Sequence, residues 1–372
     1  MDYFYGESSM NKILLIGLCI FLQFAFSQNE TDEIEISRRT AISNAVEKVS
    51  PSVVGIHVTQ LKRQRSRTYL DPFWGGFFPH TRTYKVESMG SGLIASSDGY
   101  VISNAHVTQD AHEVIVTLAG GQQYDATIIG QDELTDIALL KIDITGFPHA
   151  TLGDSEDLIV GEWAIAIGNP LGLFDVSNKP TATVGIISGL HMDFGLKESG
   201  SVYQNMIQTD ASINQGNSGG PLVNALGEII GINTFIMTGN NYSHGSIGIG
   251  FAIPINMVKD IAEELKHHGR IERNFTTGVH VQKVDPFIQR YLKLPTIKGV
   301  IVTDIEKNSS GARAGLETGD VILEVNERLI NSRDDILRVI DESLLKVGDE
   351  IELKIWRNDE VQYKILRLAE RK

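Results

Sequence analysis

A single cysteine, Cys19, occurs in 372 residues, so the chain holds no intrachain disulfide framework and no cysteine-built metal site. Positive charge is also short. Lys and Arg number 33 against 47 Asp and Glu, a formal charge of −14. No broad cationic field exists to release counterions from phosphates, which argues against nucleic acid as a partner. The simplest consequence of the negative balance is solubility. His-Glu-x-x-His and P-loop patterns are missing, so neither a metal nor a nucleotide cofactor is implied. Gly90-Ser91-Gly92-Leu93-Ile94-Ala95 has the spacing of a dinucleotide fingerprint, but strand-forming residues follow where a helix has to open, and that reading is rejected. No repeat or low-complexity tract stands out.

The hydrophobic content of 42% supports real cores, and 36 glycines point to many turns and an all-β architecture. The length predicts two or three domains. Near the start, Lys12 precedes an apolar run from Ile13 to Phe26. Its length suits a signal-peptide hydrophobic region and falls short of the roughly 20 residues of a membrane span. Ala25 and Ser27 offer small residues for cleavage before Gln28, which makes residues 1–27 a signal peptide. An uncleaved N-terminal anchor stays open as the alternative.

Thr40 to Val49 has helical spacing, and Val53 to Val58 reads as a strand. Leu61 to Glu87 has no clean period. It carries Lys62, Arg63, Arg65 and Arg67 and the aromatic stretch Asp71 to Pro79, and reads as a long surface loop. Short β-branched runs then alternate with turn residues from Met89 to Leu173, and again from Ala182 to Ile253. Two such sets predict two β-barrels. Ile255 to His268 is amphipathic, with Gly269 as its C-cap. Composition shifts near Glu272, where a second unit begins. A helix opening at Ser332 and two closing strands, Glu350 to Trp356 and Val361 to Leu368, lie within it.

The chemistry sits in three separated pieces: Ser103-Asn104-Ala105-His106, Thr135-Asp136-Ile137-Ala138-Leu139-Leu140 and Gly216-Asn217-Ser218-Gly219-Gly220-Pro221. Histidine, then aspartate, then serine is the chain order of chymotrypsin-type proteases. Ser218 needs a base to become a nucleophile. His106, at the end of a strand, can take that proton and return it to the leaving amine. Asp136 can fix the imidazole tautomer. Asp136 directly precedes an apolar strand, whereas Asp132 lies in a turn-like stretch and reads as solvated. The backbone of Gly216, Asn217 and Ser218 forms a tight turn whose N–H groups can converge on an oxyanion. Six residues before the nucleophile, Ser212 stands where trypsin-like enzymes carry an aspartate, and Ile213 follows it. Small or medium aliphatic residues are therefore expected before the scissile bond, since a cation would be buried unpaired.

These segments, with Ala166-Ile167-Gly168-Asn169-Pro170, Gln208 to Gly220 and Gly250-Phe251-Ala252-Ile253-Pro254, resemble the HtrA/Deg serine proteases of the bacterial envelope. The resemblance covers roughly Thr40 to the C-terminus. It implies a mainly β chain: a chymotrypsin-like double β-barrel protease domain over 40–270, then an α+β PDZ domain over 272–372. It implies ATP-independent cleavage of unfolded or partly unfolded proteins in the periplasm by a homotrimer or a multiple of trimers. Thr234, Phe235, Ile236, Met237 and Thr238 would line the substrate channel. Thr277, Gly278 and Val279 would form the loop that captures peptide C-termini. Two departures stand out. Asn274-Phe275-Thr276-Thr277 replaces an Arg-Gly and an apolar residue before Gly278, which predicts weak peptide binding. Gly189 to Phe194 lacks the arginine through which relatives relay PDZ status to the catalytic site. A membrane-anchored regulatory protease is the alternative within enzymes, and a chaperone or peptide-binding scaffold is the rival from another class. An intact triad argues against the latter.

Overall fold

The structure, a computed structural model, describes residues 37–371 except 66–68, 71–76, 79–80, 170–176, 178, 198–199, 237–245 and 295–297. The N-terminal apolar run with Cys19, most of the aromatic stretch, Pro170, Met237 and Thr238 lie outside the described residues. Helix α1 (Ala41–Val49) precedes the first strand. Thr40 and Ser43 cap it reciprocally: each hydroxyl accepts from the other's backbone N–H, at 3.2 and 2.9 Å.

Six strands close the first barrel: β1 (Val53–Arg65), β2 (Thr81–Ile94), β3 (Tyr100–Ser103), β4 (Glu113–Leu118), β5 (Gln123–Asp132) and β6 (Ile137–Ile142). They run in the order β1-β2-β3-β6-β5-β4, all pairs antiparallel. Six more close the second: β7 (Trp163–Gly168), β8 (Thr181–Met192), β9 (Met206–Thr209), β10 (Pro221–Val223), β11 (Ile229–Ile236) and β12 (Gly250–Pro254). Their order is β8-β9-β12-β11-β10-β7. Each barrel fills with its own aliphatic side chains, Val54, Ile56, Val116 and Leu140 in the first and Ile187, Ile207, Leu222 and Ile230 in the second. A third cluster welds the two. It joins Leu93, Ile102 and Ile137 to Ile165, Phe251 and Ile253, with Ala45 and Val49 of α1 at its margin. The two barrels cannot slide without exposing this cluster, so groups contributed by both are held in fixed register.

The segment read as one long loop is instead partly strand. β1 and β2 stay paired out to Arg65↔Thr81, and Tyr69–Leu70 pairs with Phe77–Phe78. Where the ladder leaves the barrel, Leu61, Lys62, Tyr84 and Lys85 are exposed, so no buried face imposes a two-residue apolar period on them.

Helix α2 (Ala105–Thr108) is a single turn after β3, and α3 (Ile255–His268) follows β12. Gly269 ends α3 in the left-handed region at φ +72°, its N–H on Leu265 O at 2.8 Å. Beyond it, a sheet of order β13 (Val279–Lys283), β14 (Val300–Ile305), β15 (Val321–Val325), β16 (Glu350–Arg357) and β17 (Glu360–Arg367) is covered by α4 (Pro286–Tyr291), α5 (Ser310–Arg313) and α6 (Arg333–Glu342). Its core is Val302, Ile322, Val325, Val339, Ile351, Leu353 and Leu366. Arg357 grips the buried Asp320 through Nε and Nη2 at 2.6 and 2.7 Å, tying β16 to the turn before β15. Within this unit Val347 N–H donates to Glu272 O at 2.9 Å, and the unit meets the protease part where Lys346 pairs with Glu264 of α3 and Arg273 with Asp132 at the end of β5. Among the described residues, no helix is long and apolar enough to cross a membrane.

Candidate active site

His106, Asp136 and Ser218 meet where the two barrels face each other. β3 ends at Ser103 and turns into α2, so that His106 projects from one helical turn with its side chain 46% exposed. Asp136 occupies the last position before β6 and has left-handed backbone, φ +61°. A non-glycine residue there is strained, and the turn is held by bonds to the Asp136 carbonyl from Ala105 N–H (3.1 Å) and Asn104 Nδ2 (3.0 Å).

That turn carries the carboxylate inward, where it is 2% exposed. His106 Nδ1 lies 2.9 Å from both Asp136 oxygens, and the His106 backbone N–H donates to Oδ1 at 3.0 Å. A carboxylate can only accept, so Nδ1 carries the proton and Nε2 is left as the basic nitrogen. Two further donors reach Oδ2: Thr234 Oγ1 at 2.7 Å and Tyr203 OH at 3.2 Å. Burial, and then the Asp136 charge, push the Tyr203 phenol up to about 12, so at neutral pH it stays a donor.

The nucleophile turn is fixed from both barrels. Gly216 has φ +98° and Gly219 φ +84°. A Cβ on Gly219 would stand 2.2 Å from Ser91 O, which bars any side chain there. Ser91 of β2 reaches across the interface: its N–H donates to Ser218 O at 2.9 Å and its Oγ to Gly216 O at 2.5 Å. With the Gly216 carbonyl pinned that way, the N–H groups of Gly216 and Ser218 have no acceptor among the described residues. Asn217 N–H, by contrast, is spent on Asn214 O at 3.0 Å. Ser218 Oγ donates to Thr234 O at 2.8 Å, and there is no Ser218–His106 hydrogen bond among the described residues. Thr234 thus holds both ends of the constellation, its hydroxyl on Asp136 and its carbonyl on the serine.

The remaining expected site residues fall in different places. Thr234, expected to line a channel, is only 3% exposed and is a support beneath the site. Phe235 and Ile236 continue β11 beside it, paired with β12. Ser212 is half-buried and its carbonyl accepts from Thr183 Oγ1 at 2.7 Å. Ile213 is buried, and a Cβ on Gly250 would sit 2.8 Å from its Cδ1, so the isoleucine fills the space beside β12. Asp132 is corrected outright. It is not a solvated turn residue but 6% exposed, bonded by Thr135 Oγ1 (2.5 Å) and Thr135 N–H (3.3 Å) and ion-paired with Arg273.

Sequence reasoning missed Ser91, Tyr203, the support role of Thr234, and Arg273. Ser91 did have a signal, since it lies in the Gly90-Ser91-Gly92 stretch that no nucleotide chemistry explained. The other three come from segments far along the chain and had none.

A serine, a histidine in a defined tautomer, a buried aspartate and two N–H groups with no acceptor among the described residues, borne on paired six-strand barrels with an appended PDZ unit, define a chymotrypsin-type serine peptidase. Similarity agrees. A trypsin-like peptidase domain matches residues 90–232 and a PDZ domain matches 273–364. The probable periplasmic serine endoprotease DegP-like of Halomonas elongata is 37% identical over 338 residues, covering 86% of this chain and 68% of that protein. Its counterpart in Chlamydia trachomatis is 44% identical over 274 residues, covering 72% of this chain and 51% of that protein. The chain therefore matches between about half and about two thirds of these relatives' length. Among solved structures, a variant of the HtrA-type protease AlgW with a decapeptide superimposes with a TM-score of 0.67 at 34% identity, covering 89% of this chain and 97% of that one. The serine endoprotease from Yersinia pestis gives 0.56 at 31% identity, covering 90% and 99%. This chain belongs to the HtrA/DegP-like family of serine endoproteases.

Proposed function

We propose that this protein is an ATP-independent serine endopeptidase of the bacterial cell envelope that cleaves unfolded or partly unfolded proteins, working as a homotrimer or a multiple of trimers. The observation that carries the catalytic assignment is the His106 Nδ1 contact with both Asp136 oxygens at 2.9 Å. It leaves Nε2 as the basic nitrogen. Catalysis begins with rotation of Ser218 Oγ away from Thr234 O toward His106 Nε2, an alignment that often tightens only once substrate is bound. Oγ attacks the scissile carbonyl carbon as its proton passes to Nε2. The oxyanion accepts hydrogen bonds from Gly216 and Ser218 N–H, donors whose individual loss typically costs about 2.7–4 kcal/mol in the transition state. The imidazolium gives its proton to the leaving amine, and water, deprotonated by the same nitrogen, hydrolyses the acyl-serine. Asp136 keeps its negative charge throughout, held by four donors, and stabilises the imidazolium.

The PDZ unit supplies a separate peptide site. A cavity of about 620 Å³ lies between β13 and α6 with Thr277, Gly278 and Val279 at one end, so an extended peptide can add a strand to β13 with its carboxylate at that loop. The assignment is tested by intact-mass analysis after treatment with a fluorophosphonate. One adduct per chain is expected on the wild type and none on Ser218→Ala. Labelling that persists in Ser218→Ala ends the assignment.

A further inference from the structure

The peptide groove has an uneven charge distribution that the protein as a whole does not share. Its floor is aliphatic, with Leu316, Ile322, Val325 and Ile340 among the lining side chains, and suits an apolar last residue. Three charged side chains and a histidine line it: Arg333 at the start of α6, Arg371, Glu306 and His280. Glu306 is already opposed by His280 Nε2 at 3.4 Å. Arg333 and Arg371 are exposed and form no ion pair among the described residues. Asp335, one half-turn along α6 from Arg333, is turned to Arg338 at 3.7 Å and to Asn331 N–H at 2.9 Å. A chain of net charge −14 thus leaves two unpaired guanidinium groups on the rim of its peptide groove.

The carboxylate loop itself is partly occupied. Gly278 N–H donates to Thr276 Oγ1 at 3.2 Å and Val279 N–H to Thr277 Oγ1 at 3.3 Å. An incoming carboxylate has to displace those hydroxyls or accept from them, so the loop gains less from a peptide terminus than free amides would. Contacts along the rim then decide more of the selectivity. Val347 N–H bonds to Glu272 O, so the segment that follows α6 lies against the residues leading into the carboxylate loop, and Arg333, the first residue of α6, stands at the opposite end of the helix from that segment. From Ile340 back to Arg333 the helix rises about 10 Å, the span of about three residues of extended peptide.

We propose that this groove selects peptide C-termini that carry an aspartate or glutamate two or three residues before an apolar last residue, with Arg333 as the specificity-determining cation and Arg371 as a second one nearer the carboxylate. This rests on the reading of the groove as a peptide site, and the test separates the two. Fluorescence anisotropy is measured with the full-length Ser218→Ala protein and two labelled decapeptides ending in valine, identical except for aspartate or asparagine at the third position from the end. Versions with an amidated C-terminus serve as controls. The aspartate peptide is expected to bind at least fivefold tighter at low salt, with the difference shrinking at high salt. Arg333→Ala should bring the two peptides within twofold of each other, and Arg333→Lys should keep most of the preference. Equal affinity of both peptides for the unsubstituted groove, with the amidated versions weakened, leaves the groove in place and overturns the charge selection. If neither peptide binds, both readings fall.

Discussion

Replacing Arg273 by alanine should damage the protease domain, although the residue lies at the start of the segment matched by the PDZ domain. Its guanidinium is 19% exposed and sits on Asp132, 7% exposed, whose other oxygen receives the Thr135 hydroxyl and N–H. Thr135 is followed at once by Asp136, whose strained φ turns its carboxylate onto His106. At contact distance and an effective dielectric of about 20, the gross attraction is about 5 kcal/mol. Breaking a buried pair by removing one partner costs about 3–5 kcal/mol, because the survivor stays buried and charged. Asp132 keeps two hydrogen bonds and Arg273 is one fifth exposed, so the lower end applies, about 3 kcal/mol. For a protease domain of this size that is a fall in Tm of about 6–12 °C. Burial raises the Asp341 carboxyl on α6 and the Arg273 charge works against that rise, so the same cation pairs with Asp132 and acts electrostatically on the groove helix. The assay is thermal unfolding together with hydrolysis of a short peptide by Arg273→Ala, Asp132→Asn and the double variant. The double variant should recover much of the loss, since a neutral amide needs no counter-ion. A Tm for Arg273→Ala within 1 °C of wild type, or strictly additive losses in the double variant, would refute the reasoning. Although residues 189–194 carry no arginine, truncation after residue 270 would therefore lower short-peptide turnover by removing this pair, and not only impair substrate capture.

Other expectations follow from the same geometry. Asp136→Asn should lower kcat about ten-thousandfold with the fold retained, because the imidazole loses the acceptor that sets its tautomer; an effect under tenfold in steady-state kinetics contradicts the assignment. Cleavage-site profiling should find small and medium aliphatic residues before the scissile bond, and Ile213→Ala should shift the profile toward larger side chains; a profile dominated by Arg or Lys removes Ile213 as the pocket-filling group. Tyr203 sets a pH dependence of stability. The unfolded phenol loses its proton near pH 10 and the folded one near 12, so its contribution is present below about pH 10 and is lost as pH rises through that window, by up to about 1.4 kcal/mol per pH unit. Denaturant melts of wild type and Tyr203→Phe between pH 8 and 11.5 should converge at the alkaline end; parallel curves exclude the linkage.

The local sequence determined much of this protein by itself. Alternating apolar residues bounded by glycine and asparagine turns specified two sets of strands, the period and Gly269 specified α3, and the His, Asp and Ser segments specified the catalytic chemistry by residue type and chain order. Glycines at 216 and 219 announced the nucleophile turn because no other residue tolerates its backbone and its contact with Ser91. Tertiary structure alone decided what surrounds that chemistry. Ser91, Tyr203 and Thr234 reach the triad from three different strands, and each is an ordinary polar residue in its own stretch of chain. Whether Asp132 is solvated or buried likewise cannot be read from a turn-like tetrapeptide. The residue that settles it, Arg273, lies 141 positions away and meets it only when the PDZ unit docks. Local propensity fixes which elements form and which groups can react, while burial and charge pairing belong to contacts between distant segments, where a single sequence carries no periodic signal.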